Sequence, residues 1–455
     1  MDQGAARVDL ARIVDAVGSV PRVAYEDVHV YPLSALDFSP APGLTRPAAG
    51  AGPVKLYVHV PFCNYACTFC FYAKRVGTPR REMERYVRAV LGELDALPQG
   101  GVLGQLYVGG GTPTALPADL LDELLAGVFD RLARAPRASL TVESSPESLT
   151  EAHARVLQAR GVPRVSMGAE TLDPAVLATI RRGHGARQAL DACSLLVESG
   201  FYVNVDLIYG PPGQSEASFR ADLEALTGRR PNSVTLYNLR LNEKTPLARV
   251  VDEIDRLDVA RLVRWRAFVR EVAVELGYVQ TRWHTWVRRH DPEVAYDRAP
   301  CVDGYGAGRQ LGVGMSAVSH LGDTVYRNEE RFAAYLARIE DGASPVAGVF
   351  ALRPEDHRTL YVARTLGDGA PLARGDYATT FGRPIEHDFG DVLERLLGAD
   401  LVADRDGALV LTPAGRLVYD LVLLSFYPAS ARRWLAERAR LGPRRPRALA
   451  ATPAS

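Results

Sequence analysis

One pattern constrains the fold of this chain more than any other. Between Lys55 and Asn238, a short apolar run, a polar or Gly-rich turn and an amphipathic helix succeed one another six times. The apolar runs cover residues 56–60, 105–108, 140–143, 165–168, 203–208 and 233–238. Apolar residues at three-to-four spacing predict helices over 81–97, 118–133, 151–159, 173–181, 186–199 and 216–227. Strands alternating with helices pair in parallel through crossovers, which makes the chain α/β. Six such units predict a partial (β/α)6, TIM-like barrel. In folds of this kind functional residues gather at the C-terminal ends of the strands.

Around this core the sequence divides further. Residues 1–50 hold a short helical pattern (Leu10, Ile13, Val14, Val17) and a Pro-, Gly- and Ala-rich stretch, read as an N-terminal arm. The core is placed at 51–245. An extension at 246–350 contains an amphipathic helix over 258–276, Tyr278, Trp283, Trp286 and a Gly-rich segment from Gly304 to Gly314. Residues 351–441 are expected to form a C-terminal α+β unit like a winged helix, with two strands around Asp406-Gly407. Residues 442–455, rich in Pro, Arg and Ala, are expected to be disordered.

Composition narrows the function classes. The 54 basic and 54 acidic residues balance to a formal charge of +0, which argues against an obligatory nucleic-acid partner. No apolar run reaches the roughly 20 residues needed to span a bilayer. The start, Met1-Asp2-Gln3, lacks a basic-then-apolar leader, so a cytoplasmic location without a membrane partner is expected. Five cysteines are few for 455 residues, and three of them crowd into eight positions, which speaks for metal or redox chemistry rather than a disulfide framework.

Those three are Cys63-Asn-Tyr-Ala-Cys67-Thr-Phe-Cys70, directly after the first strand. Iron–sulfur clusters are normally held by four thiolates. Three on one loop leave one iron open to a ligand. A structural zinc wants four closed ligands, and no suitably spaced Cys or His pair follows nearby. After the second strand stands Gly109-Gly110-Gly111-Thr112-Pro113-Thr114, a turn that permits positive φ and close backbone approach to a ligand. Glu143, Glu170 and Asp206 follow later strands, where a carboxylate accepts hydrogen bonds from hydroxyls. Glu147 and Asp173 each read instead as a helix cap or a solvated loop carboxylate.

The C-x3-C-x2-C spacing, placed after the first barrel strand with Phe69 before the last cysteine, resembles the radical S-adenosylmethionine (SAM) superfamily. With Leu56-Tyr-Val-His-Val-Pro-Phe-Cys63, the Gly-rich turn, Asp206-Leu-Ile-Tyr-Gly210, Leu311–Ser319 and Leu411-Thr-Pro-Ala-Gly-Arg416, the chain is similar to the oxygen-independent coproporphyrinogen III oxidase-like branch. The resemblance implies a [4Fe-4S] cluster on Cys63, Cys67 and Cys70, and an electron donor of flavodoxin or ferredoxin type. It implies that Tyr57, Gly110, Gly111, Thr112, Glu143 and Arg182 contact SAM. A second SAM is implied near Thr114, Glu170, Asp206 and the 311–319 loop, including Gly314.

Three features depart from the oxidase pattern. No fourth cysteine follows Cys70 within the loop Phe71–Arg75, position 170 is Glu rather than Gln, and Pro211 replaces Leu. The continuation Phe71-Tyr72-Ala73-Lys74-Arg75 resembles class C radical SAM methyltransferases, which implies C-methylation, or methylene or cyclopropane formation, at an sp2 carbon of a small-molecule or peptide-derived substrate. Oxidase-type decarboxylation and a haem chaperone of the same fold are the alternatives. Tyr72 and Cys193 read as packing residues, Lys74 and Arg75 equally as a solvated edge. His59 reads as either a barrel-interior group or packing, and Cys301 as a loop thiol that could face the site.

Overall fold

The computed structural model describes residues 38–47, 52–97, 102–239, 245–249, 259–282, 284–291 and 309–433. The pattern at residues 10–17, Trp283, Cys301, most of the Gly304–Gly314 segment and the 442–455 tail lie outside them.

The chain runs β1 (Ser39–Pro40), β2 (Pro53–Val60), a two-residue pair β3 (Phe62–Cys63) and β4 (Arg75–Val76), then β5 (Val102–Gly110), β6 (Ala133–Ser144), β7 (Arg164–Glu170), β8 (Tyr202–Tyr209) and β9 (Ser233–Asn238). Strands β2 and β5 to β9 lie side by side in chain order, all parallel. Helices Arg80–Asp95, Ala118–Arg131, Glu151–Ala159, Pro174–Ile180, Ala186–Glu198 and Glu216–Thr227 make the crossovers. All six expected repeats are present, within a few residues at their ends.

The rest of the chain widens this sheet on both sides. Beyond β9 come β10 (Tyr278–Gln280) and β11 (Thr285–Arg288); beyond β2 come β12 (Arg309–Val313), β13 (Val318–Leu321), β14 (Thr324–Asn328) and β15 (Val346–Ala351). β12 joins β2 as a further parallel neighbour, and β13, β14, β15 and β1 follow antiparallel. The edge strands β1 and β10 do not pair, so the barrel stays open among the described residues.

Period-two alternation explains how the barrel holds a site. Leu56, Val58, Val60, Leu106, Val108, Val142, Val165, Met167, Val203 and Val205 point outward into the core under the helices. Their neighbours Tyr57, Tyr107, Glu143, Ser166, Asn204 and Asp206 point inward. Register sets Glu143 beside Ser166, and Ser166 beside Asn204.

The arm does more than lead into the core. Arg46 is buried and pairs with Glu93, itself 1% exposed, at the foot of the first helix. Glu93 also accepts from Gly314 N (2.8 Å), Asn328 Nδ2 (2.8 Å) and Tyr335 Oη (2.7 Å). Arg46 donates to Gly312 O (2.6 Å) and Ser319 Oγ (3.0 Å). One carboxylate thus ties the arm, the first helix and the widened sheet together.

The C-terminal unit has its own core, including Leu360, Tyr377, Leu393, Leu409 and Val422. Its three-stranded sheet orders β16 (Leu372–Ala373), β18 (Ala408–Leu411) and β17 (Val402–Arg405) as β16-β18-β17. The hairpin turns on Asp406 (φ 54) and Gly407 (φ 80), the left-handed pair a tight hairpin requires. Arg266 docks the unit on the barrel through Asp420 (2.8 Å) and Leu417 O (2.8 Å).

Candidate active site

The cysteine loop is closed at both ends. Parallel pairing of Phe62 with Arg75 and Cys63 with Val76 returns the chain beside its start. Thr68 N donates to Ile180 O (3.0 Å), Leu247 N to Thr68 O (3.0 Å) and Lys74 Nζ to Cys70 O (2.8 Å). Cys63, Cys67 and Cys70 all line one cavity of about 410 Å³ at the C-terminal ends of the strands. Arg182 Nη1 stands 3.4 Å from Cys67 Sγ, and Thr112 Oγ1 3.8 Å from Cys63 Sγ. Burial pushes the Cys63 thiol up to about 11 and raises Cys67 as well, so these thiols need a cation to ionise. Among the described residues, no three His, Cys, Asp or Glu side chains converge tightly enough for a single metal ion. The three cysteines share one cavity, and a donor set of three thiols fits a [4Fe-4S] group with one free iron.

The Gly-rich turn lies flat against this loop. Gly111 N donates to Val60 O (2.8 Å) and Thr112 N to Phe62 O (2.7 Å). A Cβ on Gly110, at φ +112, would sit 2.4 Å from His59 Nδ1, and one on Gly111 would sit 2.7 Å from Phe62 O. Only glycine permits this approach. Next to the turn, Glu143 accepts from Tyr107 Oη and from Gly110 N (3.1 Å). Burial raises its carboxyl to about 7, against the Tyr107 hydrogen bond and with the Asp206 charge adding to the rise.

On the neighbouring strand Glu170 has φ 67, at an irregularity of β7 that turns its side chain toward Arg182, 3.8 Å away. Burial lifts Glu170 to about 7, with Arg182 opposing and Asp206 and Glu143 adding to the rise. Asp206 is held by Asn204 Nδ2 (2.7 Å) and Ser166 Oγ (3.2 Å), and burial raises it too. Arg182 donates to Gly168 O, and its Nε is buried without a partner.

Gly110, Gly111, Thr112, Glu143, Glu170, Arg182 and Asp206 therefore meet the three cysteines at one cavity. Three expected residues do not reach it. Tyr57 lies below, bonded to His59 Nδ1 (3.0 Å) and stacked on Tyr107 with centroids 6.2 Å apart. Thr114 is buried in the turn Pro113–Ala115, bonded to Ser148 Oγ (2.6 Å) and Ser144 Oγ (3.3 Å). Gly314 sits against Tyr86 and Glu93, where its φ of +96 and backbone serve packing. His59 is a packing group: burial lowers it to about 4, and Nε2 bonds Ala73 O (3.0 Å). Asp173 caps its helix, accepting from Ala175 N (2.9 Å), and Cys193 is fully buried.

Glu147, read from the sequence as a helix cap or a solvated loop carboxylate, faces the cavity. It accepts from Tyr65 Oη (2.7 Å) and from Ser145 Oγ (2.5 Å), and stands 3.6 Å from His184 Nδ1. Burial alone would raise it, yet the hydrogen bonds from His184, Ser145 and Tyr65 outweigh burial and hold it at about 2. This carboxylate pins the cysteine loop, through Tyr65, to the segment after β6. Tyr65, Tyr237 and His284 also line the cavity and carried no sequence signal. His284 reaches it from the extension, bonded to Tyr419 Oη (2.9 Å) of the C-terminal unit.

A parallel barrel that brings three cysteines, a flat Gly-rich turn and part-buried carboxylates to one end of its strands defines a cluster-dependent, SAM-binding class of protein. Residues 57–226 match the Radical SAM superfamily. The heme chaperone HemW of Mycobacterium tuberculosis is 30% identical over 402 residues, 84% of this chain and 96% of that protein. The oxygen-independent coproporphyrinogen III oxidase of Paracoccus denitrificans is 29% identical over 83% of this chain and 87% of its own length. Coproporphyrinogen III oxidase (HemN) from Escherichia coli shares the fold, with a TM-score of 0.74, 22% identity and coverage of 89% and 96% of the two chains. The chain belongs to the radical SAM superfamily, in the branch that holds HemW and the oxygen-independent coproporphyrinogen III oxidases. Its cofactors are a [4Fe-4S] cluster and SAM. These relatives lend no support to the class C methyltransferase resemblance. No helix of the described residues is long and apolar enough to cross a membrane.

Proposed function

We propose that this chain performs radical chemistry on a propionate-bearing tetrapyrrole precursor, the reaction class of the coproporphyrinogen oxidases among its relatives. The observation that carries the reading is the span of the likeness, which runs past the barrel into the extension, whose His284 lines the cavity, and into the C-terminal unit, whose Tyr419 holds His284. When bound, the cluster and SAM supply a 5′-deoxyadenosyl radical, with one electron from a flavodoxin- or ferredoxin-type donor. Cys63, Cys67 and Cys70 would hold three irons. Gly110, Gly111 and Thr112 would receive the methionine end of SAM on exposed backbone, and Glu143 would accept from the ribose hydroxyls. Arg182 donates toward Cys67 and neutralises Glu170. Lys74, at the cavity beside Cys70, supplies a cation for a substrate carboxylate.

A second reading, C-methylation with a second SAM, is favoured by the absence of a further cysteine in the loop directly after Cys70 and by the acidic wall of Glu170 and Asp206. One anaerobic experiment separates the readings. Reconstituted protein, a reductant, coproporphyrinogen III and methyl-labelled SAM should release carbon dioxide and 5′-deoxyadenosine and leave the substrate unlabelled. Label in the product together with S-adenosylhomocysteine would replace decarboxylation by methyl transfer. A Soret shift on haem titration with no turnover would replace both by haem carriage.

A further inference from the structure

The mouth of the cavity carries an aromatic rim to which none of the roles above is assigned. Phe71 and Tyr72 follow the last cluster cysteine and stack on one another, centroids 4.6 Å apart and planes 29° from parallel. They are 45% and 56% exposed. At the end of β9, Tyr237 is 40% exposed, its ring 4.9 Å from that of His284. Among the described residues these three are the only large aromatic side chains so exposed, and all three line the same cavity. Rings held in water gain nothing from burial in the fold, and apolar surface gathered at one place marks a binding surface. Ile208 and Leu239 continue the apolar lining inward, while Lys74 and Arg182 add positive charge. Aromatic faces recognise other aromatic faces in offset or edge-to-face geometry, which an aliphatic ligand cannot return.

We propose that Phe71, Tyr72 and Tyr237 form a stacking rim that selects a ligand with flat conjugated rings and a carboxylate, with Lys74 supplying the counter-charge. The proposal rests on the reading that substrate meets the radical in this cavity, and it names the feature of the substrate that the entrance measures.

The test is binding by the reconstituted full-length chain, followed by fluorescence anisotropy of pyrene-1-carboxylate, with adamantane-1-carboxylate as a competitor of similar charge and no aromatic face. Phe71→Leu, Tyr72→Leu and Tyr237→Leu should each weaken pyrene-1-carboxylate binding by roughly 3- to 10-fold. Phe71→Tyr and Tyr72→Phe, which keep a ring, should bind as wild type does. Iron and sulfide content reports whether each variant still loads its cluster; Tyr237→Leu lies outside the cysteine loop and carries the test if the other two do not load. Unchanged affinity in the leucine variants would overturn the rim, as would displacement by adamantane-1-carboxylate or an absence of saturable binding to wild type. Coproporphyrinogen III, kept reduced under anaerobic conditions, serves as a second probe. Ring-dependent binding of pyrene-1-carboxylate without binding of coproporphyrinogen III would keep the rim and remove the tetrapyrrole reading.

Discussion

Glu143 is part-buried beside the Gly-rich turn, and desolvation there lifts its carboxyl to about 7. Its ionised fraction falls from about 0.9 at pH 8 to about 0.1 at pH 6. If bound SAM requires the carboxylate as acceptor, Glu143 alone weakens SAM binding about tenfold over that interval. Stability moves the opposite way. The folded value lies above the unfolded one, so the folded chain binds this proton more tightly, and the associated stability is complete below the unfolded value. It is lost as pH rises through about 7, by about 3 kcal/mol in all. Glu143→Gln keeps the shape and removes the charge. The SAM-free variant should therefore match wild type in thermal midpoint at pH 5 and exceed it at pH 8. It should bind SAM more weakly at pH 8, and its affinity should change about tenfold less than that of wild type between pH 8 and 6. Equilibrium dialysis with labelled SAM under anaerobic conditions and paired thermal melts measure both. Other titrating groups, the SAM amine among them, act alike on the two proteins. Parallel pH slopes, or a variant less stable than wild type at pH 8, would refute the assignment.

Three further outcomes follow from named contacts. Glu93→Gln places an amide against the donors Arg46, Asn328, Gly314 N and Tyr335, and should cost about 3–5 kcal/mol, read as a lowered urea midpoint. Gly111→Ala drives a Cβ to 2.7 Å from Phe62 O, so the turn must leave the cysteine strand; SAM cleavage should fall about 10- to 100-fold, measured as 5′-deoxyadenosine. Glu147→Gln weakens the hold on Tyr65 and hence on the cysteine loop, and a chelator should strip iron from the variant several-fold faster, followed by loss of visible absorption.

The barrel was legible because each strand writes its outward face as Val, Leu or Ile at every second position and each helix repeats its apolar stripe, so element type follows from period alone. The cysteine loop, the Gly-rich turn, Glu143 and Asp206 were legible because each sits in or just after the C-terminal half of such a strand. Glu147 was not. It stands 82 positions from Tyr65, and nothing around it in the sequence distinguishes an acid that anchors a cluster loop from one in solvent. Thr114 and Gly314 show the converse. Each lies in a motif of the family, yet the local hydrogen bonds of Thr114 to Ser144 and Ser148, and of Gly314 to Glu93, take both out of the cavity. His284 became visible only when the extension folded back across β9 to meet Tyr237 and Tyr419.

The charge pattern inside the barrel gives the strongest argument that the assigned wall is built for a cation. Glu143, Glu170 and Asp206 are part-buried at the cavity, and desolvation there is the first cause of the upward shift in each. Arg164 and Arg182 lower the three carboxyls but do not bring any of them back to its ordinary value. A site that accepts acids at this cost without enough internal counter-charge is electrostatically incomplete by itself. The sulfonium of SAM is a positive charge of the right sign to complete it. This also explains why Glu at 170, where the oxidase pattern has Gln, is tolerable: Arg182 stands 3.8 Å away and already serves Cys67. The extra acid makes the wall more demanding of a cation. Glu170→Gln should therefore raise the stability of the SAM-free protein at pH 8 and reduce the stabilisation that added SAM provides, as read by thermal midpoint with and without ligand. A variant stabilised by SAM as strongly as wild type would place the SAM charge away from this wall.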